Sequence, residues 1–287
     1  MLKKNVKKLL ALGLAAGMVL GMTACGGEKA AEDTTAAQTE AAEEGKKVMN
    51  IGSMGYFAAE TMDPANGWDA WYMMYDGTTE TLFKLDENIT PTENLAVSCE
   101  SDDYINWTVT LRDDVTFQNG EKMTAEAVKK CFERTYEVND RAKGQIAIDT
   151  LEADGQKLIF HLQHESVNLL NDLCDPLWSV YDSENSNYTD TLYCTGPYII
   201  REFEPYVETV VEKYEGYWGG EPKLDEVHLI TISDTEAITM ALQNGEIDMG
   251  VAMATSTVPV FENDENFVVD AVTTTRAVSY THLTLPT

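Results

Sequence analysis

Cys194-Thr195-Gly196-Pro197-Tyr198, Tyr217-Trp218-Gly219-Gly220 and Gly245-Glu246-Ile247-Asp248 punctuate one stretch, residues 194–250, whose reading decides the fold. Gly196-Pro197 fixes a tight entry into a strand, and Trp218-Gly219-Gly220 lets a large ring sit against bare backbone. Gly245-Glu246-Ile247-Asp248 reads as a helix stop followed directly by a short strand. Strand-like and helix-like segments fill the intervals. None of the three clusters is a catalytic constellation; all are frame.

Upstream, Val48-Met49-Asn50-Ile51 reads as a short strand ending in Gly52-Ser53-Met54-Gly55. The next twenty residues are dense in aromatics: Tyr56, Phe57, Trp68, Trp71, Tyr72 and Tyr75. Thr61-Met62-Asp63-Pro64 interrupts them, because proline drives the residue before it out of the helical region. Trp71, Met74, Tyr75 and Thr78 then recur at helical spacing and predict a buried helix face. For Tyr56, Met62, Trp68 and Trp71 two readings stand, core packing or an aromatic wall of a ligand cleft.

Leu82-Phe83-Lys84-Leu85 and Asp86-Glu87-Asn88 read as strand and turn. Trp107, Val109 and Leu111 alternate with Thr108, Thr110 and Arg112, the pattern of a half-buried strand. Phe117-Gln118-Asn119-Gly120 supplies a hairpin-type turn, with Asn-Gly able to take positive φ. Thr124 is a good N-cap for an amphipathic helix over 125–138 that turns Val128, Cys131, Phe132 and Thr135 inward. Ile148–Leu151, Asp154-Gly155 and Leu158–Leu162 predict a second antiparallel hairpin, giving an α+β lobe of its own.

The N-terminus carries an address. Lys3, Lys4, Lys7 and Lys8 precede the apolar run Leu9–Met22, and Thr23-Ala24 place small residues before Cys25. Residues 1–24 have the flanks of a secretory signal and are short for a membrane span. Cys25 resembles the lipidated cysteine of a bacterial lipobox; the alternative is an ordinary signal with an incidental cysteine. Residues 25–47, rich in Ala, Glu and Thr, cannot bury a core and predict a disordered tether, a solvated helix being the alternative for the Ala-Glu portion. The formal charge is −29, and −33 without the four leader lysines, which argues against nucleic-acid or anionic-membrane binding. Cys99, Cys131, Cys174 and Cys194 form neither a CxxC pair nor a metal spacing, and Cys131 falls on the apolar helix face. About 240 residues follow the tether, enough for one large or two smaller lobes.

The series of runs, in order, resembles the family 5 extracellular solute-binding proteins, which deliver oligopeptides, dipeptides or nickel complexes to ABC importers. The matching runs begin with Met62-Asp63-Pro64-Ala65, Glu80-Thr81-Leu82-Phe83-Lys84-Leu85-Asp86 and Leu111-Arg112-Asp113-Asp114-Val115-Thr116-Phe117. Asn119-Gly120-Glu121, Thr124–Val128, Thr195–Tyr198, Tyr217–Leu224 and Leu242–Asp248 complete them. The resemblance implies an α/β, periplasmic-binding-protein-like (type II) bilobal fold. Residues 48–276 would supply only its first lobe and the family's extra α+β domain.

The resemblance further implies ligand capture between lobes that close by hinge motion, handover to ABC permease subunits, no cofactor and no catalysis. It implies a monomer, with small peptides or a metal chelate as ligand. Candidate ligand-binding residues are Tyr56, Met62, Trp68, Trp71, Trp178 and Tyr181. For nickel chelates the family uses aromatics, an Arg and a distant His; His161 and His164 read instead as an exposed pair. An exported hydrolase and a surface adhesin are the readings from other classes, though four His without ligand spacing offer no Ser/His/Asp or metal cluster.

Three departures stand out. Cys194 replaces the family's usual Gly, and Cys99 stands near where an aromatic is common. A Cys99–Cys194 bridge requires Cα atoms within about 7 Å. Family members continue into a second ligand-clasping lobe, so the expectation is a C-terminally truncated chain. Residues 277–287 leave the family pattern and resemble translated adaptor read-through, the alternative being a divergent natural terminus.

Overall fold

The computed structural model describes residues 45–270. The leader 1–24, Cys25, the tether before residue 45 and the tail 277–287 lie outside the described residues.

The chain enters through strand β1 (Val48–Ser53), crosses an irregular aromatic segment and forms the short helix α1 (Asp69–Tyr75). A small antiparallel pair follows, β2 (Phe83–Leu85) with β3 (Pro91–Glu93). The α+β lobe is then built in one run. Strands β4 (Ala96–Glu100) and β5 (Asn106–Leu111) precede helices α2 (Ala125–Val138) and α3 (Asp140–Gln145). The hairpin β6 (Ile148–Asp154) and β7 (Lys157–Leu162) closes an antiparallel sheet of order β4-β5-β7-β6.

Alternation decides which face of this sheet is buried. Trp107, Val109 and Leu111 of β5 and Leu158, Phe160 and Leu162 of β7 point inward, against Val128, Cys131, Phe132 and Thr135 of α2. Thr124 caps α2 by accepting from the Ala127 N–H at 3.2 Å. Phe132 sits edge-on to Trp178 at 5.2 Å and 6.4 Å from Phe160, at the centre of the largest apolar cluster. Trp178 closes the 3-10 turn Pro176–Trp178, which follows the one-turn helix α4 (Leu169–Asp172).

The chain then builds a second, mixed sheet. Strands β8 (Tyr198–Glu204), β9 (Glu208–Lys213) and β10 (Glu226–Thr231) run antiparallel in sequence. Helix α5 (Thr235–Asn244) crosses over to β11 (Met249–Val251), and α6 (Val258–Phe261) follows. The order is β11-β1-β10-β9-β8, with β1 parallel to both β10 and β11. Side chains alternate across it. Val211, Val227 and Leu229 pack with Phe57, while Ile230 and Ile232 pack with Ile238, Ala241 and Ile247 around α5. Gly245 ends α5 in the left-handed region, φ 72°, as its sequence context predicts.

The family-like runs meet where the mixed sheet joins the α+β lobe. Gln118 donates to the carbonyls of Gly196 (3.1 Å) and Tyr198 (2.7 Å) and accepts from the Cys194 N–H at 3.1 Å. Glu80 accepts from the Tyr217 hydroxyl at 3.0 Å and the Trp218 indole N–H at 2.9 Å. The Arg112 guanidinium covers the Trp218 ring at 4.4 Å. At Gly196 a Cβ would lie 2.4 Å from the carbonyl oxygens of Gly77 and Thr78, so no side chain fits.

Three readings need correction. The ring lying against bare glycine is Tyr217, whose Cε1 would be 2.5 Å from a Cβ on Gly219, whereas Trp218 is spent on Glu80. Cys99 and Cys194 are free thiols, as are Cys131 and Cys174, so the bridge is absent. Cys194 is instead buried opposite Tyr181 in an isolated antiparallel bridge. Finally, α1 buries Ala70 and Met73, not Trp71, Met74 and Tyr75; Tyr75 is 48% exposed, and Thr78 is buried beyond the helix end.

Candidate functional site

Strands β1, β10 and β11 are parallel, so their carboxyl ends share one edge of the mixed sheet. In open α/β sheets that edge is where ligands bind. It carries the exposed Met54-Gly55 turn and Tyr56 after β1, and the tip of the β8–β9 hairpin beside the end of β10.

The aromatic segment after β1 presents a stripe of rings. Trp68, Trp71, Tyr72 and Tyr75 stand at i, i+3, i+4 and i+7 on the face of α1 opposite Ala70 and Met73. Trp68 is 55% exposed and meets Trp71 edge-on at 4.8 Å, while Tyr75 meets Tyr56 at 5.2 Å. Arg141 of α3 lays its guanidinium over Trp68 at 3.5 Å and Trp71 at 4.6 Å. Among the described residues Arg141 forms no ion pair within 4 Å; it reaches the Gly67 carbonyl at 3.5 Å, burial lowers its pKa and the nearby Asp175 opposes that shift. The result is two indoles and a cation with remaining capacity for an anion.

Two acids, Asp69 buried and Asp63 half-buried, hold this wall in shape. Asp69, 3% exposed, accepts from the backbone N–H groups of Glu60 (3.0 Å) and Thr61 (2.9 Å). The same carboxylate accepts from the Thr61 hydroxyl (2.7 Å) and the Asn66 amide (3.0 Å). Asp63 takes a bidentate pair from Arg134 of α2, at 2.8 and 2.7 Å, which fixes the interruption before Pro64. Arg134 also donates to the Tyr181 hydroxyl at 2.9 Å and stacks on Tyr188 at 3.9 Å. Asn139 adds two hydrogen bonds, to the carbonyls of Ala65 and Gly67, both 3.1 Å. The loop is thereby bolted to the α+β lobe.

The six residues singled out from sequence separate into two groups. Tyr56, Trp68 and Trp71 come together on the wall. Met62, 5% exposed, belongs to the main core and lines a cavity of about 170 Å³ with Thr189, Asp190, Ile200, Arg201 and Phe203. Trp178 and Tyr181 are corrected outright: both are fully buried in the α+β core and offer no surface to a ligand. Their aromatic character is used for packing and for seating Arg134. Sequence reasoning missed Arg141, Tyr72 and Tyr75. The 68/71/72/75 spacing was readable, while the approach of Arg141, more than sixty residues away, was not. His161 pairs with Asn106 at 2.6 Å, His164 is exposed, and no group of three potential metal-binding side chains occurs among the described residues.

A two-lobe binding protein of the type II periplasmic class is the architecture to which these elements belong. The chain matches the model of bacterial extracellular solute-binding proteins, family 5 Middle, over residues 90–286. It belongs to that family. It is 28% identical over 194 residues to the nickel-binding protein NikA of Staphylococcus aureus, covering 67% of this chain and 40% of the relative. It is 23% identical over 298 residues to the dipeptide-binding protein DppE of Bacillus subtilis, covering 93% of this chain and 54% of that protein. The solved nickel ABC transporter protein of Bacillus halodurans superposes with a TM-score of 0.73 at 31% identity, covering 77% of this chain and 46% of that one. The chain thus spans about half the length of the relatives it matches.

Proposed function

We propose that the chain supplies one wall of the ligand cleft of an ABC-importer solute receptor that captures oligopeptides or dipeptides outside the cytoplasm. The observation that carries this reading is the aromatic stripe Trp68-Trp71-Tyr72-Tyr75, exposed at Trp68 and Tyr75 and half-buried at Trp71 and Tyr72, with Arg141 over its two indoles. Rings of this kind bury a small ligand's apolar surface, and the guanidinium selects a carboxylate. The opposing wall belongs to the part of the relatives that this chain does not match. Closure of two lobes would exclude water and present the closed form to the permease subunits.

A small metal chelate is the second reading, favoured by the nickel-binding relatives and by Arg141. The wall offers rings and a guanidinium instead of metal-donor atoms, so nickel would be held through its organic ligands. Neither reading needs a bond made or broken. Peptidase turnover by the purified protein would count against both.

The stripe is tested by titrating trialanine and, separately, Ni(II)–bis(L-histidine) while following the indole N–H signals of Trp68 and Trp71. Both signals should move together and saturate, and Trp71→Ala should weaken binding severalfold. The receptor reading also includes a monomer tethered by a lipid on Cys25, supported by the small residues before that cysteine. Cys25→Ala should move the protein from the membrane fraction to the soluble one; continued membrane retention would rule the anchor out.

A further inference from the structure

The turn between β8 and β9 is Glu204-Pro205-Tyr206-Val207, closed by the Val207 N–H to the Glu204 carbonyl at 3.0 Å. Its third residue, Tyr206, has φ 63°. That position requires left-handed backbone, for which glycine or asparagine is the economical choice and a bulky aromatic is strained. Two other tyrosines share the conformation, and each has a packing partner: Tyr104 lies against Trp107, and Tyr188 carries the Arg134 guanidinium. Tyr206 has no ring-stacking partner among the described residues and remains 55% exposed.

Its position is informative. The Thr231 N–H at the end of β10 donates to the Val207 carbonyl, which places the turn at the carboxyl edge of the parallel strands. The Tyr206 N–H donates to the Ala59 carbonyl at 3.2 Å, so the turn is pinned to the aromatic segment. Its phenol donates a hydrogen bond toward the Glu60 carboxylate, with Asp69 and Tyr72 nearby. The stripe of α1 and the turn are therefore contiguous.

We infer that Tyr206 is a ligand-contacting, specificity-determining residue, a second side of the binding wall contributed by the β8–β9 turn. The inference rests on the receptor reading above. A strained residue persists where its surroundings hold it, and such outliers concentrate at binding sites. Here the conformation presents an exposed phenol to the space in front of α1. The ring adds apolar area, and its hydroxyl, whose proton goes to Glu60, keeps an acceptor lone pair suited to a peptide N–H.

The test uses Tyr206→Gly in the full chain, with Tyr206→Asn as a second residue that tolerates this backbone. The thermal midpoint should hold or rise, because strain is released. Affinity for trialanine or Ni(II)–bis(L-histidine), read from the Trp68 and Trp71 indole signals, should fall threefold or more. A merely structural turn residue would give the opposite pairing, unchanged affinity with a shifted midpoint. Affinity lost in Trp71→Ala but unchanged in both Tyr206 variants overturns the assignment of Tyr206 alone. Absence of binding by either probe, or binding indifferent to Trp71→Ala, overturns the wall reading together with it.

Discussion

The carboxyl group of Asp76, at the C-terminal end of α1, is 5% exposed, and its Oδ1 lacks a hydrogen-bond partner among the described residues. Desolvation pushes its pKa well above the usual carboxylate range. The folded state therefore holds the proton more tightly than the unfolded chain. Its stabilising contribution is present below the unfolded pKa and is lost as pH rises through the folded one. Asp76→Asn should be more stable than the parent near pH 8, with the difference closing as the solution is acidified. Thermal unfolding across that range checks this, and a difference independent of pH would contradict it. Glu80 shifts in the same direction, desolvation outweighing the donors Trp218 and Tyr217, but that slope is common to both proteins.

Elements show where sequence reading succeeds and where it stops. Helix α2 was legible to the residue: Thr124 caps it, and Val128, Cys131, Phe132 and Thr135 are its buried face. Strand β5 and the β6–β7 hairpin were equally plain, because each has one wet face and one dry face, and alternation reports that difference. Helix α1 failed for a physical reason. It has seven residues, and its apolar positions outnumber those that can be buried, so Trp71/Met74/Tyr75 and Ala70/Met73 compete as inward faces. Ala70 and the unbranched Met73 went fully inside, Trp71 and Tyr72 were left half-buried, and Trp68 and Tyr75 stayed exposed. What keeps that loop in place is the tie from α2. Arg134→Met would leave the Asp63 carboxylate, 17% exposed, without its bidentate partner. The expected cost is about 2 kcal/mol, toward the low end for a buried pair because both groups retain some solvent. The Trp68 and Trp71 indole signals should also shift or broaden. A chemical denaturation midpoint unchanged from the parent would contradict the bolted-loop account.

At the scale of the whole molecule, the frame and the wall are distinct things. Gly196, Gln118, Glu80 and Trp218 make the joint between sheet and α+β lobe, and they are what a reader of the sequence recognises. The proposed wall at the carboxyl edge draws on three separate segments: the aromatic run after β1, Arg141 on α3, and the β8–β9 turn. No single stretch announces it. The ordered series of family-like runs carried the fold to the reader, but the site depends on tertiary approach, which side-chain periodicity does not encode.

The central claim is that this edge binds a small ligand through the α1 stripe. The most direct measurement is titration of the full chain with trialanine and with Ni(II)–bis(L-histidine), following the indole N–H signals of Trp68 and Trp71 beside those of Trp107 and Trp178. The two buried indoles lie in the α+β core and serve as internal controls. Saturable shifts at Trp68 and Trp71, with Trp107 and Trp178 unmoved, are the predicted result. Shifts spread equally over all four indoles, or none at the stripe with either probe, would contradict the account.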